Sequence, residues 1–236
     1  MKILVCLEVG PEATGAFVPE FPGCWVFGRT PVRALEKVRA EVERWFRWVK
    51  EHGEGVSVEV RGFEVETEIL RVSYNPVMAG KPEPLFWAEV PPIGREDILR
   101  TIRLMRYSRE DLLSLTSSLS DELLDWKPAG KPRTIRNCLR HIAYVEPWYI
   151  SRLNVELNVR HPKNVFELLK HTREIVLDFL ENFPEEKMRG IFQPIKDANP
   201  ICSLWTARKV LRRLVDHERL HTRYVEKLLK MRQEVG

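Results

Sequence analysis

The amino-acid sequence predicts a small α+β module followed by an all-α, up-and-down four-helix bundle. Three observations carry this. Short apolar runs at strand spacing fill the first 72 residues around a single helical pattern, whereas four longer helical patterns fill residues 94–236. Between them, residues 73–93 hold five prolines (Pro76, Pro82, Pro84, Pro91, Pro92) and Gly80, which oppose regular structure. The charge divides at the same place: residues 1–92 carry 11 basic and 14 acidic side chains, and the remainder 27 and 20. The expected organisation is a module over 1–72, a connector over 73–93 and a bundle over 94–236, in keeping with the one or two domains that 236 residues allow.

In the first module, Ile3–Val9 has strand character and Gly10–Gly15 reads as a turn. Ala16–Pro19 and Cys24–Phe27 form two short strands around a Phe21-Pro22-Gly23 corner. Thr30-Pro31 then opens a helix, the threonine capping free amides and the proline suiting the first helical position. Leu35, Val38, Val42, Trp45, Phe46 and Val49 share one helical face, and Gly53 is placed to end it. Val56–Val60 and Phe63–Val72 read as strands again, the second alternating as Phe63, Val65, Thr67 and Ile69. The expected product is an antiparallel sheet covered by one helix. His52, at the helix end, suits a cation near the C-terminal dipole. In the connector, Leu85-Phe86-Trp87 is costly to leave in water and is expected to dock on a module.

Four helical patterns follow. Ile98, Ile102, Met105, Leu112, Leu113 and Leu115 mark the first, closing near Leu119, and Leu123, Leu124 and Trp126 belong to a short turn. Thr134 caps the second, carried by Ile135, Leu139, Ile142, Val145, Tyr149 and Leu153. The third runs from Val165 to Phe179 and stops before Pro184. A long connection with Pro194 and Pro200 leads to the fourth, carried by Val210, Leu211, Leu214, Val215, Tyr224, Val225 and Leu228. Four amphipathic helices of this length read as a bundle.

Composition excludes several functions. A net charge of +4, from 38 basic and 34 acidic residues, is no histone-like polycation. The apolar run Ile3–Leu7 is too short for a signal-peptide core or a membrane span, so no membrane association is expected. Cys6, Cys24, Cys138 and Cys202 show no CxxC spacing and read as reduced thiols of a cytoplasmic protein. Arg208, Lys209, Arg212, Arg213, Arg219 and Arg223 line what should be the outer, solvated side of the fourth helix. A nucleic-acid surface there lacks interleaved aromatic residues, so no nucleic-acid partner is expected.

The chemistry lies in the histidines. His217 and His221 are four apart and lie on the stripe of Leu214, Val225 and Leu228, so both point inward. Two buried imidazoles need partners. His141 lies midway along the second helix, and one histidine with an i, i+4 pair can offer three nitrogens to a divalent cation. The competing readings are a core histidine bonded to a neighbour and a pair placed by chance on a charged helix. His217-Glu218-Arg219-Leu220-His221 is also an HExxH string, the zincin peptidase signature. The metzincin continuation fails at Tyr224 and Lys227, and no peptidase sheet is evident. A di-iron carboxylate site fails too, because Cys138 stands where a second glutamate is needed. Cys138 reads as a small packing residue and Glu218 as an exposed partner of nearby arginines.

Two resemblances sharpen these expectations. The stretch GAFVPEFPGCWVFGRTPVRALEKV resembles the HicB-like antitoxin domain over roughly residues 1–60. That implies a small α+β module that contacts a protein partner. The segments WKPAGKPRTIRNCLRHIAYVEPWYISRL and RKVLRRLVDHERLHTRYVEKLL resemble the DinB/YfiT-like family, four-helix bundles with a metal-binding histidine triad. Carried over, the resemblance makes His141, His217 and His221 the metal ligands and implies zinc or nickel, a low-molecular-weight thiol and a homodimer. Its enzymes include thiol S-transferases, so the expected activity is a metal-dependent thiol transfer or hydrolysis on a small-molecule substrate. The alternatives are a non-catalytic, metal-stabilised sensor or partner-binding protein and an antitoxin-like regulator.

Overall fold

The computed structural model describes residues 2–56, 62–73, 84–194 and 204–235. A four-stranded sheet comes first, built from β1 (Lys2–Val9), β2 (Thr14–Phe17), β3 (Trp25–Gly28) and β4 (Glu64–Arg71) in the order β3-β2-β1-β4. Helix α1 (Pro31–Glu51) intervenes between β3 and β4. Its N-cap is Thr30, whose hydroxyl accepts the Arg33 amide at 3.3 Å, and Gly53 follows its end at φ +86°.

The sheet is mixed, not antiparallel as the sequence predicts. β1 pairs with β2 antiparallel, from Cys6 opposite Phe17 to Val9 opposite Thr14, and β2 pairs with β3 likewise. β4 pairs with β1 in parallel, from Lys2 opposite Glu64 to Val9 opposite Arg71. The reason is the 21-residue helix between β3 and β4, which carries the chain back by about 30 Å. The strand after it therefore runs in the same direction as the strand before it. The alternation along β4 does not bury its apolar members either. Val65 and Ile69 are 41% and 51% exposed, because α1 packs on β2 and β3 and leaves the outer strand uncovered. The predicted strand Val56–Val60 lies, but for Val56, outside the described residues.

One face of the sheet (Ile3, Val5, Leu7) packs on Val38, Val42, Trp45 and Val49 of α1. That core runs without interruption into Ile98, Ile102, Leu211, Leu214 and Val215 of the helical region. The other face holds Cys6, Phe17 and Trp25 against Phe86. The connector therefore docks, and of the run Leu85-Phe86-Trp87 only Phe86 is fully buried. Trp87 stays 78% exposed, since a 3₁₀ turn over Trp87–Glu89 swings it outward. Glu68 of β4 accepts the Trp87 and Ala88 amides, and Glu89 accepts the Phe86 amide at 3.2 Å.

The rest is mostly helical: α2 (Arg95–Thr116), the short α3 (Asp121–Asp125), α4 (Ile135–Ser151), α5 (Val165–Glu181) and α6 (Ala207–Val235). Ser120, Thr134 and Asn164 cap α3, α4 and α5 through their side-chain oxygens. Each of α2, α4, α5 and α6 packs against two of the others, and α3 lies on α4. No helix among the described residues is long and apolar enough to cross a membrane.

The basic side of α6 is not solvated. Lys209, Arg212 and Arg219 are buried, Arg212 and Arg219 under the sheet region and connector and Lys209 against Trp205. Arg212 donates to Glu89 at 2.7 Å, Arg223 pairs with Glu41, and the Arg219 guanidinium lies 3.5 Å from the Trp48 ring centroid. Gly23, at φ +88°, gives its amide to Asp216 at 2.5 Å while its carbonyl accepts from Arg219 at 3.2 Å. At the far side, His52 and the Trp48 indole both bond Asp111 of α2, and His52 stacks on Tyr107 at 4.5 Å. His52 is thus an inter-element contact as well as a helix-end residue. The acidic and basic halves of the sequence meet across this seam.

Candidate metal centre

Two helices supply the centre. On α4, Ile135, Leu139 and Ile142 are buried and fix the rotation that brings His141 to the margin of the core. On α6, Leu214, His217, His221, Val225 and Leu228 are all buried, so the stripe read in the sequence is the face turned towards α4. The three imidazoles converge through one kind of atom. Nε2 of His217 lies 3.1 Å from Nε2 of His141 and 3.1 Å from Nε2 of His221. Ligand atoms of the three residues all lie within 4.8 Å of one another, and no other described histidine, cysteine or carboxylate joins the group.

Protons alone do not satisfy this arrangement. His217 Nε2 faces two nitrogens and offers either one N–H or one lone pair, so it cannot serve both in good geometry. A tetrahedral zinc with nitrogens at about 2.0–2.1 Å sets pairs of ligand atoms about 3.3 Å apart, close to the two spacings at His217. Burial, with the positive charge of Arg133 nearby, pushes His141 down to about 4 and, with His141 and Arg133 adding, His221 to about 3. His217, fully enclosed, is held well below its ordinary value by burial and by His221. Neutral imidazole is the form that binds a metal, so the residues present fit a divalent cation.

Cys138 sits behind His221, not among the converging nitrogens. Its Sγ is 3.3 Å from Nδ1 of His221, so a proton on Nδ1 directed at sulfur leaves Nε2 free to ligate. Burial pushes this thiol up to about 12, so it stays protonated. Tyr149 lies beside His217, with ring centroids 5.7 Å apart, and its hydroxyl accepts from Arg213 at 2.8 Å. His141 is half-buried, so the centre reaches the surface on the α4 side.

Glu218 departs from the expectation of an exposed residue. It is 1% exposed, and the predicted arginine partners are real but come from other helices. Its Oε1 accepts from Arg109 at 2.6 Å, and its Oε2 accepts from Ser108 at 2.8 Å and from Arg173. Burial would raise this carboxyl, but the two guanidinium groups outweigh it and hold it down at about 2. With both oxygens occupied, Glu218 is no general base, and the HExxH string is no peptidase site. Glu146 of α4 completes the network, bonding Arg109 at 2.6 Å and Arg173 at 2.6 Å.

Sequence reasoning missed Arg109, Glu146 and Arg173. The available signal was a charged residue on an apolar stripe: Met105, Arg109 and Leu112; Ile142, Glu146 and Tyr149; Leu169, Arg173 and Val176. The remaining histidines stand apart. His52 joins Asp111, while His161 and His171 line a shallow depression with Arg160 and Glu167. Cys202 lies outside the described residues.

No curated protein and no solved structure matches the chain. A family model described as the DinB superfamily matches residues 104–225, which takes in all three histidines.

Proposed function

The chain belongs to the DinB superfamily, whose members typically bind metal, and from that premise we propose that it is a divalent-metal enzyme. Its reaction is transfer of a low-molecular-weight thiol to a small molecule, or hydrolysis of one. The observation that carries this reading is the convergence of three imidazoles, with Nε2 of His217 3.1 Å from Nε2 of each of the other two and no fourth described side chain among them. Three protein nitrogens with a position to spare is the donor set of a catalytic zinc site, whereas a structural site is closed by four. Zinc or nickel suits imidazole donors. A cation so held supplies Lewis acidity and makes a thiol or a water a better nucleophile at neutral pH.

The chain's own residues then divide the work. His141, His217 and His221 hold the ion; Cys138 orients His221 through Nδ1; the half-buried side of His141 admits substrate. Within this reading the helical region is a four-helix bundle, and the protein is cytoplasmic and forms a homodimer. The HicB-like motif around Gly23 serves chiefly to hold α6, since that corner bonds Asp216 and Arg219 on either side of His217.

The same clamp favours a second reading, a non-catalytic metal-stabilised sensor in which loading of α6 is felt by the sheet. Metal analysis of the purified protein beside His141→Ala and His217→Ala, with a panel of thiols and electrophiles, separates these. The enzyme reading expects about one ion per chain, lost in both variants together with turnover. Undiminished metal in both variants rejects the triad, and metal-dependent stability without turnover selects the sensor.

A further inference from the structure

We infer that the buried network of Arg109, Glu146, Arg173 and Glu218 is the positioning device of the histidine centre, locking α4 and α6 in the rotation at which the three Nε2 atoms converge. The inference rests on the reading of that centre as a metal site.

The distribution of charge among the helices carries it. Both acids sit on the two helices that bear the histidine triad: Glu146 lies five residues beyond His141 on α4, and Glu218 directly follows His217 on α6. Both arginines sit on two helices that bear no member of the histidine triad, Arg109 on α2 and Arg173 on α5. Each guanidinium reaches both carboxylates, so α4 and α6 are cross-braced twice. The remaining donors are also fixed: Arg109 Nη1 donates to the Leu169 carbonyl at 2.7 Å and Arg173 Nη1 to the Met105 carbonyl at 2.5 Å. All four residues are more than nine-tenths buried.

Stability alone does not account for such a network, because a buried ion cluster loses hydration and is often replaced by apolar groups at no cost. What forked, bidentate pairs add is direction. Leucine contacts tolerate a small rotation of a helix, whereas a guanidinium between two carboxylates does not. Metal ligation needs that accuracy, with distances held to about 0.2 Å. Successive α6 residues point about 100° apart. Asp216 is held by Gly23, His217 faces His141, Glu218 enters the network, and Arg219 returns to Gly23. One turn of helix is thus fixed from three directions, and the network supplies one of them.

The test replaces the network by apolar residues of similar size, Arg109→Met, Glu146→Leu, Arg173→Met and Glu218→Leu together, in the full chain. Zn²⁺ affinity is measured by chelator competition and ligand geometry by the visible absorption of bound Co²⁺. The expected result is a folded variant with Zn²⁺ binding at least tenfold weaker and a changed Co²⁺ spectrum. Leu104→Ala, a cavity in α2 at a residue outside the network, should lower stability yet leave both readouts unchanged. Wild-type affinity and spectrum in the apolar variant overturn the inference, as does equal weakening by Leu104→Ala. Should the fourfold variant not fold, Glu146→Gln decides by the same two readouts. A wild-type chain that binds no Zn²⁺ sinks the metal reading and this inference together, whereas tight binding unaffected by the replacements sinks this inference alone.

Discussion

Sγ of Cys138 lies 3.3 Å from Nδ1 of His221, on the side of the imidazole away from the nitrogen that meets His217. This places the cysteine behind a ligand, where it sets the tautomer and angle of the ring. Outer partners of this kind are worth about 10–100-fold in metal affinity. Cys138→Ala should therefore keep one metal ion per chain but bind it roughly tenfold more weakly. Stoichiometry by elemental analysis and affinity by chelator competition read the two effects separately. Loss of the ion altogether would make Cys138 a ligand.

Removal of the metal should cost stability in proportion to its saturation. At a thousandfold excess over Kd, an ion bound only by the folded state adds about 4 kcal/mol. A thermal melt with added Zn²⁺ should thus lie well above one in chelator. His217→Ala and His141→Ala should show no such difference between the two conditions. A wild-type melting temperature that ignores Zn²⁺ contradicts the site.

Acid should weaken the ion network before it unfolds the sheet. The Glu218 carboxyl is held at about 2, below its ordinary 4.5, so its contribution is complete above about 4.5 and fades as pH falls towards 2. Glu218→Gln leaves two buried arginines short of a partner and should cost about 3–5 kcal/mol at pH 7. Urea midpoints at pH 7 and pH 3 should show the gap between wild type and variant narrowing at the lower pH. A gap that is constant, or that grows in acid, disproves the assignment.

Gly23→Ala should be among the costlier single substitutions in the sheet region. The backbone there has φ +88°, and an added Cβ would stand 2.3 Å from Cδ of Arg219, whose guanidinium is pinned over Trp48. The loss should be about 1–3 kcal/mol from the backbone alone. Gly55→Ala, where an added Cβ meets nothing within 4 Å, serves as the comparison and should be nearly neutral. Denaturant midpoints decide, and equal midpoints for the two variants would refute the close approach.

The elements legible in the sequence were those set by local rules. Thr30, Thr134 and Pro31 marked helix starts, and the stripe of Leu214, His217 and His221 announced which face of α6 turns inward. What was not legible depends on contacts far apart in the chain. The direction of β4 follows from the return of α1 across the sheet, which no feature of Phe63–Val72 encodes. The burial of Arg212 and Arg219 depends on a sheet some two hundred residues earlier, and helical spacing alone cannot distinguish a face turned to water from one turned to another part of the chain. Glu218 shows both limits. Its pairing with arginines is expected, but at the surface, whereas Arg109 and Arg173 meet it in the core from α2 and α5.

The seam between α6 and the sheet bears on how this protein can be studied in pieces. A chain trimmed to residues 94–236 would keep the three histidines but discard Glu41, Glu89, Trp48 and the Gly23 carbonyl. Arg219 and Arg223 would then lose every partner contributed by the first 93 residues, and Arg212 would keep Asp216 of its own helix but lose Glu89. Cations uncovered along one helix face attract polyanions. The excised helices would thus show an affinity for nucleic acid that the intact molecule hides by folding its own acidic end over the same surface.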